Sequence, residues 1–118
     1  MKVTIEELEA YLFDHYHNGG VDQSLFMKLV EEVGEVAEVL NKKAGRKSSE
    51  DEDLQAQLGN ELADVIHYAV AIAALNGLDL NDIIIQKDKA ASVKYNHTTN
   101  LKQFILNRRN AETGLRGE

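Results

Sequence analysis

The 118-residue sequence contains no cysteine and no proline. The absence of cysteine excludes disulfide bonds and thiolate metal sites, so any bound metal must have oxygen or imidazole ligands. Proline interrupts helices, and its absence permits long helices without requiring them. Strand-like alternation of apolar and polar residues is also nearly missing. What remains is helical periodicity, which predicts an all-α fold.

Basic residues are scarce: 13 lysines and arginines against 20 aspartates and glutamates give a net charge of −7. Binding to DNA or RNA phosphates needs a basic surface, so we expect no nucleic-acid partner. A nucleotide can still bind when divalent cations lie between its phosphates and the carboxylates. No apolar run approaches the length of a membrane span, and the N-terminal residues do not resemble a signal peptide. We therefore expect a cytoplasmic protein with no membrane association.

The helical pattern predicts a four- to five-helix bundle. Thr4 is the expected N-cap of the first helix, with Glu7 completing a capping box. The other expected helices run from Asp22 or Ser24 to about Lys43, from about Glu52 to Asn76, and from Asp79 or Asn81 to near Tyr95, with one or two further turns in 101–107. Residues 1–107 are expected to form one domain and 108–118 a flexible tail. The apolar excess predicts that a homodimer or higher homo-oligomer completes the bundle.

The second helix combines an apolar stripe with acidic residues. The stripe, which is expected to be buried, comprises Phe26, Leu29, Val30, Val33, Ala37 and Leu40, widened by Val36 and Val39. Glu32 lies between Val36 and Val39 on the helical wheel, inside the apolar sector, where a solvated charge is not expected. Glu35 lies at the edge of that sector, whereas Glu38 fits a solvated face equally well.

The third helix is almost entirely apolar from Leu62 to Leu75, yet Glu61 and Asp64 lie at the start of this stretch. Two helices therefore each carry a carboxylate pair directed toward packed surface. Burying several carboxylates together is costly unless they are neutralised. A hard cation such as Mg²⁺ or Mn²⁺ would neutralise them, and protonation at raised pKa is the alternative. His67 could add a ligand, but a single D-x-x-H pair favours a place in the core or behind the ligands.

The run from Glu31 to Glu35, E-E-V-G-E, followed by E-L-A-D from Glu61 to Asp64, resembles the E-E-x-x-E…E-x-x-D signature of the MazG-like all-α nucleotide pyrophosphohydrolases. The resemblance covers roughly residues 25–94. It implies cleavage of nucleoside triphosphates between the α and β phosphates, giving a monophosphate and pyrophosphate. It also implies that Glu32, Glu35, Glu61 and Asp64 hold Mg²⁺, with Mn²⁺ as an alternative, and that Glu31 is the catalytic base.

The same resemblance implies that Lys87 binds phosphate, although a solvated lysine explains this residue equally well. Family members often carry an asparagine four residues after that lysine, where this chain has Ala91. Lys94 and Asn96 are the candidates to replace that contact.

Two other functions remain open from the sequence. One is a non-catalytic, dimeric helical interaction module, whose glutamates would be exposed and replaceable. The other is a phosphoribosyl-nucleotide pyrophosphohydrolase with the same metal site and a different pocket. The aromatic residues are scattered along the chain, and their spacing predicts no base-stacking site.

Overall fold

The computed structural model describes residues 1–19, 22–45 and 53–116. These residues form five α-helices and no strand: α1 (Ile5–Tyr16), α2 (Asp22–Lys43), α3 (Leu54–Leu75), α4 (Leu80–Lys94) and α5 (Leu101–Arg116). The predicted all-α class is confirmed. The predicted helix start at Glu52 lies outside the described residues.

Local sequence accounts for where the first three helices begin or end. The Glu7 amide donates to Thr4 Oγ1, and the Thr4 amide donates to Glu7 Oε1, each over 3.1 Å, which is the predicted capping box. Asp53 caps α3 by accepting from an amide of its first turn. Gly45 and Gly77 follow α2 and α3 with φ angles of 77° and 66°. Glycine adopts this left-handed conformation without a Cβ penalty, so these two residues terminate the helices.

Residues Met1–Leu78 form a first compact unit in which α1 and α2 both pack against α3. Its core consists of Leu12 from α1, Leu25 and Val39 from α2, and Val70, Ala71, Ala73 and Ala74 from α3. Small alanine side chains allow neighbouring helices to approach α3 closely. The apolar C-terminal half of α3 therefore holds the unit together, while its N-terminal half carries the acidic residues.

The face of α2 that packs against the unit differs from the predicted stripe. Leu25 and Val39 are buried and Leu29, Glu32 and Val36 are half-buried, whereas the predicted core residues Phe26, Val30, Val33, Ala37 and Leu40 are exposed. Both sets follow an alternating spacing of three and four residues, so α2 has two neighbouring apolar seams. Only one of them contacts the rest of the unit, because α3 covers a single side of α2. The prediction that the other seam is buried within the chain is wrong.

Residues Asp79–Glu118 form a second compact unit that contains α4 and α5. The Leu101 amide at the start of α5 donates to Asp88 Oδ2 of α4 over 2.6 Å. Helix α5 is longer than predicted and extends through residues 108–116, where pairs such as Arg108 and Glu112, 3.6 Å apart, favour helix. The expectations of one domain over 1–107 and of a flexible 108–118 stay predictions.

Helix α3 is also the one helix, among those described, that is long and apolar enough to cross a membrane by length and composition alone. The sequence predicted no such segment because Glu61 and Asp64 interrupt the apolar run. A core helix of a soluble protein has the same properties. Helices α1 and α2 pack against α3, while Leu62 and Ile66 of α3 remain exposed.

Candidate metal centre

Glu32 lies on the packed face of α2, one turn from the half-buried Leu29 and Val36. Its side chain is half-buried, and its Oε2 atom is buried with no hydrogen-bond partner among the described residues. The helical wheel places Glu32 there because residues 25, 29, 32, 36 and 39 share one side of an α-helix. A charged oxygen without a donor in such a place is unfavourable.

Glu61, on the facing helix α3, is a second acidic residue in an unfavourable environment. It is half-buried on α3, and its Oε2 is also buried without a hydrogen-bond partner in the described part of the chain. Asp64, one turn further along α3, is exposed. One carboxylate oxygen from each of Glu32, Glu61 and Asp64 lies within 4.8 Å of the others. The packing of α2 against α3 therefore brings three acidic groups to one point.

Glu35 is the fourth acidic residue of this cluster. A protonated Glu61 would hydrogen bond to Glu35 and to Glu32, and these bonds, together with burial and charge repulsion from both carboxylates, raise the pKa of Glu61 to about 7. Ionised carboxylates are acceptors only, so a hydrogen bond between two of them requires a proton. Without a cation, Glu61 therefore keeps its proton between pH 4.5 and about 7, where an isolated glutamate would release it.

The donor set fits a divalent cation that prefers oxygen ligands. Carboxylate oxygens are the ligands of hard cations, and two oxygens on opposite sides of Mg²⁺ are about 4.2 Å apart. The three oxygens lie within 4.8 Å of one another, so side-chain rotations would bring them to the shorter separations that one Mg²⁺ imposes. A cation would also supply the positive partner that the buried oxygens of Glu32 and Glu61 lack within 1–19, 22–45 and 53–116.

Glu31, the predicted base, lies outside this convergence. It is exposed, and its carboxylate pairs with Lys28 Nζ of the same helix at 3.3 Å. Hydrogen bonding to Glu31 and its negative charge raise the pKa of Lys28. Glu31 nevertheless adjoins Glu32 in sequence, so its backbone is close to the cluster.

His67 contacts Tyr16 instead of joining the carboxylate group. Its Nε2 atom and the Tyr16 hydroxyl form a hydrogen bond of 2.8 Å between α3 and α1. Burial is the main cause that raises the pKa of Tyr16, so the phenol keeps its proton at neutral pH. The hydroxyl can then donate to Nε2 when the imidazole proton is on Nδ1. This contact favours the predicted place in the core or behind the ligands over the metal-ligand alternative.

The aromatic side chains of the first unit are less scattered than the sequence suggested. Five rings follow one another in contact, with centroid distances from 4.6 to 6.1 Å, in the order Tyr11, His15, Tyr16, His67 and Tyr68. The sequence gives no sign of this arrangement, because it depends on how α1 crosses α3.

The three predicted substrate residues lie in the second unit. Lys87 is exposed on α4, and Lys94 Nζ lies 5.3 Å from the centre of the Tyr95 ring. Asn96 has a left-handed φ of 55° and lines a polar cavity of about 460 Å³, together with Lys89 and His97. Asn96 therefore contributes to a concave surface, while the two lysines are solvent-accessible cations.

Comparison with known families identifies the chain. The model of the MazG nucleotide pyrophosphohydrolase domain matches residues 21–94, which include α2, α3 and α4. A comparison with curated proteins gives no match. Because the matched segment covers more than half of the sequence, this chain belongs to the MazG nucleotide pyrophosphohydrolase family.

Proposed function

We propose that this member of the MazG family is a Mg²⁺-dependent nucleoside triphosphate pyrophosphohydrolase. It cleaves the anhydride between the α and β phosphates and releases a nucleoside monophosphate and pyrophosphate. The observation that carries the proposal is the convergence of Glu32, Glu61 and Asp64 within 4.8 Å, with two buried oxygens that have no donor among the residues the structure describes. A non-catalytic module would have little reason to keep such a destabilising group.

Glu32, Glu35, Glu61 and Asp64 are the residues that would hold Mg²⁺ or Mn²⁺. Such an ion neutralises phosphate charge and makes water a better nucleophile near neutral pH. The protein contributes the fixed geometry: two rigid helices orient the carboxylates before substrate arrives. Hydrolysis of a phosphoanhydride depends mainly on positioning and charge neutralisation, so a small helical domain is sufficient.

Glu31 is the proposed general base. Its carboxylate would accept the proton of the attacking water. The ion pair of 3.3 Å with Lys28 keeps the carboxylate oriented on the exposed side of α2. For the reaction, the Glu31 side chain would have to leave Lys28 and contact the attacking water molecule instead.

Lys87, Lys94 and Asn96 are the proposed substrate contacts. Two lysines offer positive charge for the phosphates, and the Asn96 amide offers both a donor and an acceptor beside a polar cavity. The position of the family's usual asparagine is occupied by Ala91, and Asn96 is the proposed replacement. Exposed lysines bind phosphate as mobile point charges, so each is expected to affect KM more than kcat.

The active species is proposed to be a homodimer or higher homo-oligomer. Helix α2 leaves Phe26, Val30, Val33 and Leu40 exposed, and their spacing of three and four residues is that of a helix-packing seam. A second copy would cover this seam. With a net charge of −7, nucleic acid and anionic membrane surfaces are unfavourable partners. We propose a cytoplasmic location, which would supply nucleoside triphosphates.

A panel of nucleoside triphosphates, assayed for pyrophosphate release with Mg²⁺, tests the proposal. Asp64→Asn and Glu35→Gln should abolish turnover while leaving the far-UV circular dichroism helical. Glu6→Gln, the same kind of change on the exposed side of α1, should retain full activity. Release of orthophosphate, or activity in Asp64→Asn, would count against the assignment. Turnover confined to phosphoribosyl-nucleotides would identify the alternative substrate class.

A further inference from the structure

The hydrogen-bonded pair of Tyr16 and His67 has no role in the proposed hydrolysis. Tyr16 is the last residue of α1, and His67 lies one turn after Asp64 on α3. Their hydroxyl and Nε2 atoms are 2.8 Å apart, and both side chains are half-buried, so each keeps some access to solvent. A purely structural contact between α1 and α3 could be made by two apolar side chains without the cost of desolvating polar atoms.

His67 connects this pair to the carboxylate cluster along α3, because it lies one turn after Asp64. The Tyr68 ring contacts the His67 ring edge-on at 4.8 Å, and the pKa of Tyr16 is raised mainly by burial and less by the neighbouring Tyr68. Tyr68 also acts on Lys28, whose pKa is raised by Glu31 first and, more weakly, by Tyr68 and Glu32. One lysine is thus within electrostatic range of both the aromatic group and the acidic group.

The chemistry of the pair suits a heterocyclic base. A phenol and an imidazole can each act as donor or acceptor, so together they can match a carbonyl, an amino group or a ring nitrogen. Aromatic rings add a surface against which a base can stack. Neither residue offers the fixed positive charge that a phosphate group favours. His67 lies only about 4.5 Å along the helix axis from Asp64.

We propose that Tyr16 and His67, together with the ring of Tyr68, bind the base of the nucleotide whose phosphates the carboxylate cluster receives. This inference rests on the proposed function of that cluster. In a nucleoside triphosphate the base is joined to the α phosphate through one sugar, so a base site must lie close to the metal centre. The pair is therefore a specificity-determining element for the reaction.

The test compares substrates with and without a base. In Tyr16→Phe and in His67→Leu, KM for a nucleoside triphosphate should rise about two- to tenfold, the effect of one lost hydrogen bond. The inhibition constant of inorganic tripolyphosphate, which has no base, should stay unchanged. Tyr11→Phe is the matched control, because it removes a hydroxyl from the exposed face of the same helix. Thermal unfolding of each variant reports its stability.

Equal changes in KM and in the tripolyphosphate inhibition constant would overturn the inference and assign the pair a structural role. If Tyr16→Phe does not fold, His67→Leu decides the question by the same comparison of KM with the tripolyphosphate inhibition constant. If the wild-type chain hydrolyses no nucleotide, the proposed function fails on its own. Nuclear magnetic resonance of the His67 imidazole then decides: a shift with nucleoside monophosphate but not with phosphate supports base binding, and no shift refutes it.

Discussion

Replacing Glu61 by glutamine should have opposite effects on stability with and without a divalent cation. Folding raises the pKa of Glu61 from 4.5 to about 7, so between these pH values the folded chain binds more protons than the unfolded chain. The free energy of unfolding contributed by this group is therefore fully present below pH 4.5 and is lost as the pH rises through 7. Glutamine cannot ionise, so Glu61→Gln should be stabilised relative to wild type at pH 8 but not at pH 4.5, in the presence of a chelator.

With Mg²⁺ at pH 8, wild type should instead be more stable than Glu61→Gln. A cation at a concentration 100 times its dissociation constant stabilises the folded state by about 2.7 kcal/mol. For a chain of this size that corresponds to a rise in Tm of about 8–13 °C. Glu61→Gln, with one ligand lost, should gain much less. Thermal unfolding by circular dichroism at pH 4.5 and 8, with chelator or with Mg²⁺, measures both effects, with Glu6→Gln as control. A wild-type Tm that rises from pH 4.5 to 8 as much as that of Glu61→Gln, or equal Mg²⁺ shifts in both proteins, would refute the reasoning.

Two further predictions concern the fold. Leu12→Ala removes a fully buried side chain from the contact between α1 and α3 and should lower the free energy of unfolding by about 2–5 kcal/mol in urea titrations; a loss below about 1 kcal/mol would mean that α1 is not part of the cooperative unit. Gly77→Ala places a Cβ on a residue with a φ of 66° and should cost about 1 kcal/mol. An unchanged midpoint for Gly77→Ala would contradict the left-handed termination of α3.

Local features of the fold could be predicted closely from the sequence. The capping box of Thr4 and Glu7 involves residues three apart. Gly77 has the left-handed backbone that glycine after a helix commonly adopts. The place of Glu32 on the packed side of α2 also followed from periodicity alone. Such features depend on interactions within one helix, where sequence spacing determines which groups meet.

Features that depend on how helices pack could not be predicted in the same way. Helix α2 has two apolar seams, and only the position of α3 decides that Leu25 is buried while Val30 is exposed. The contact between Tyr16 and His67 joins residues 51 positions apart and requires the crossing of α1 over α3. The convergence of acidic residues from α2 and α3 could be anticipated from the family resemblance, but the separation of their oxygens could not.

Direct counting of bound Mn²⁺ by electron paramagnetic resonance tests the central claim most simply. Glu32→Gln removes one buried carboxylate and keeps the shape of the side chain, so it should preserve the fold. The wild-type chain is expected to bind Mn²⁺ at pH 8 in competition with Mg²⁺, and Glu32→Gln is expected to bind it at least tenfold more weakly. Equal Mn²⁺ binding by wild type and Glu32→Gln, or no binding by either, would contradict the assignment of this cluster as a metal centre.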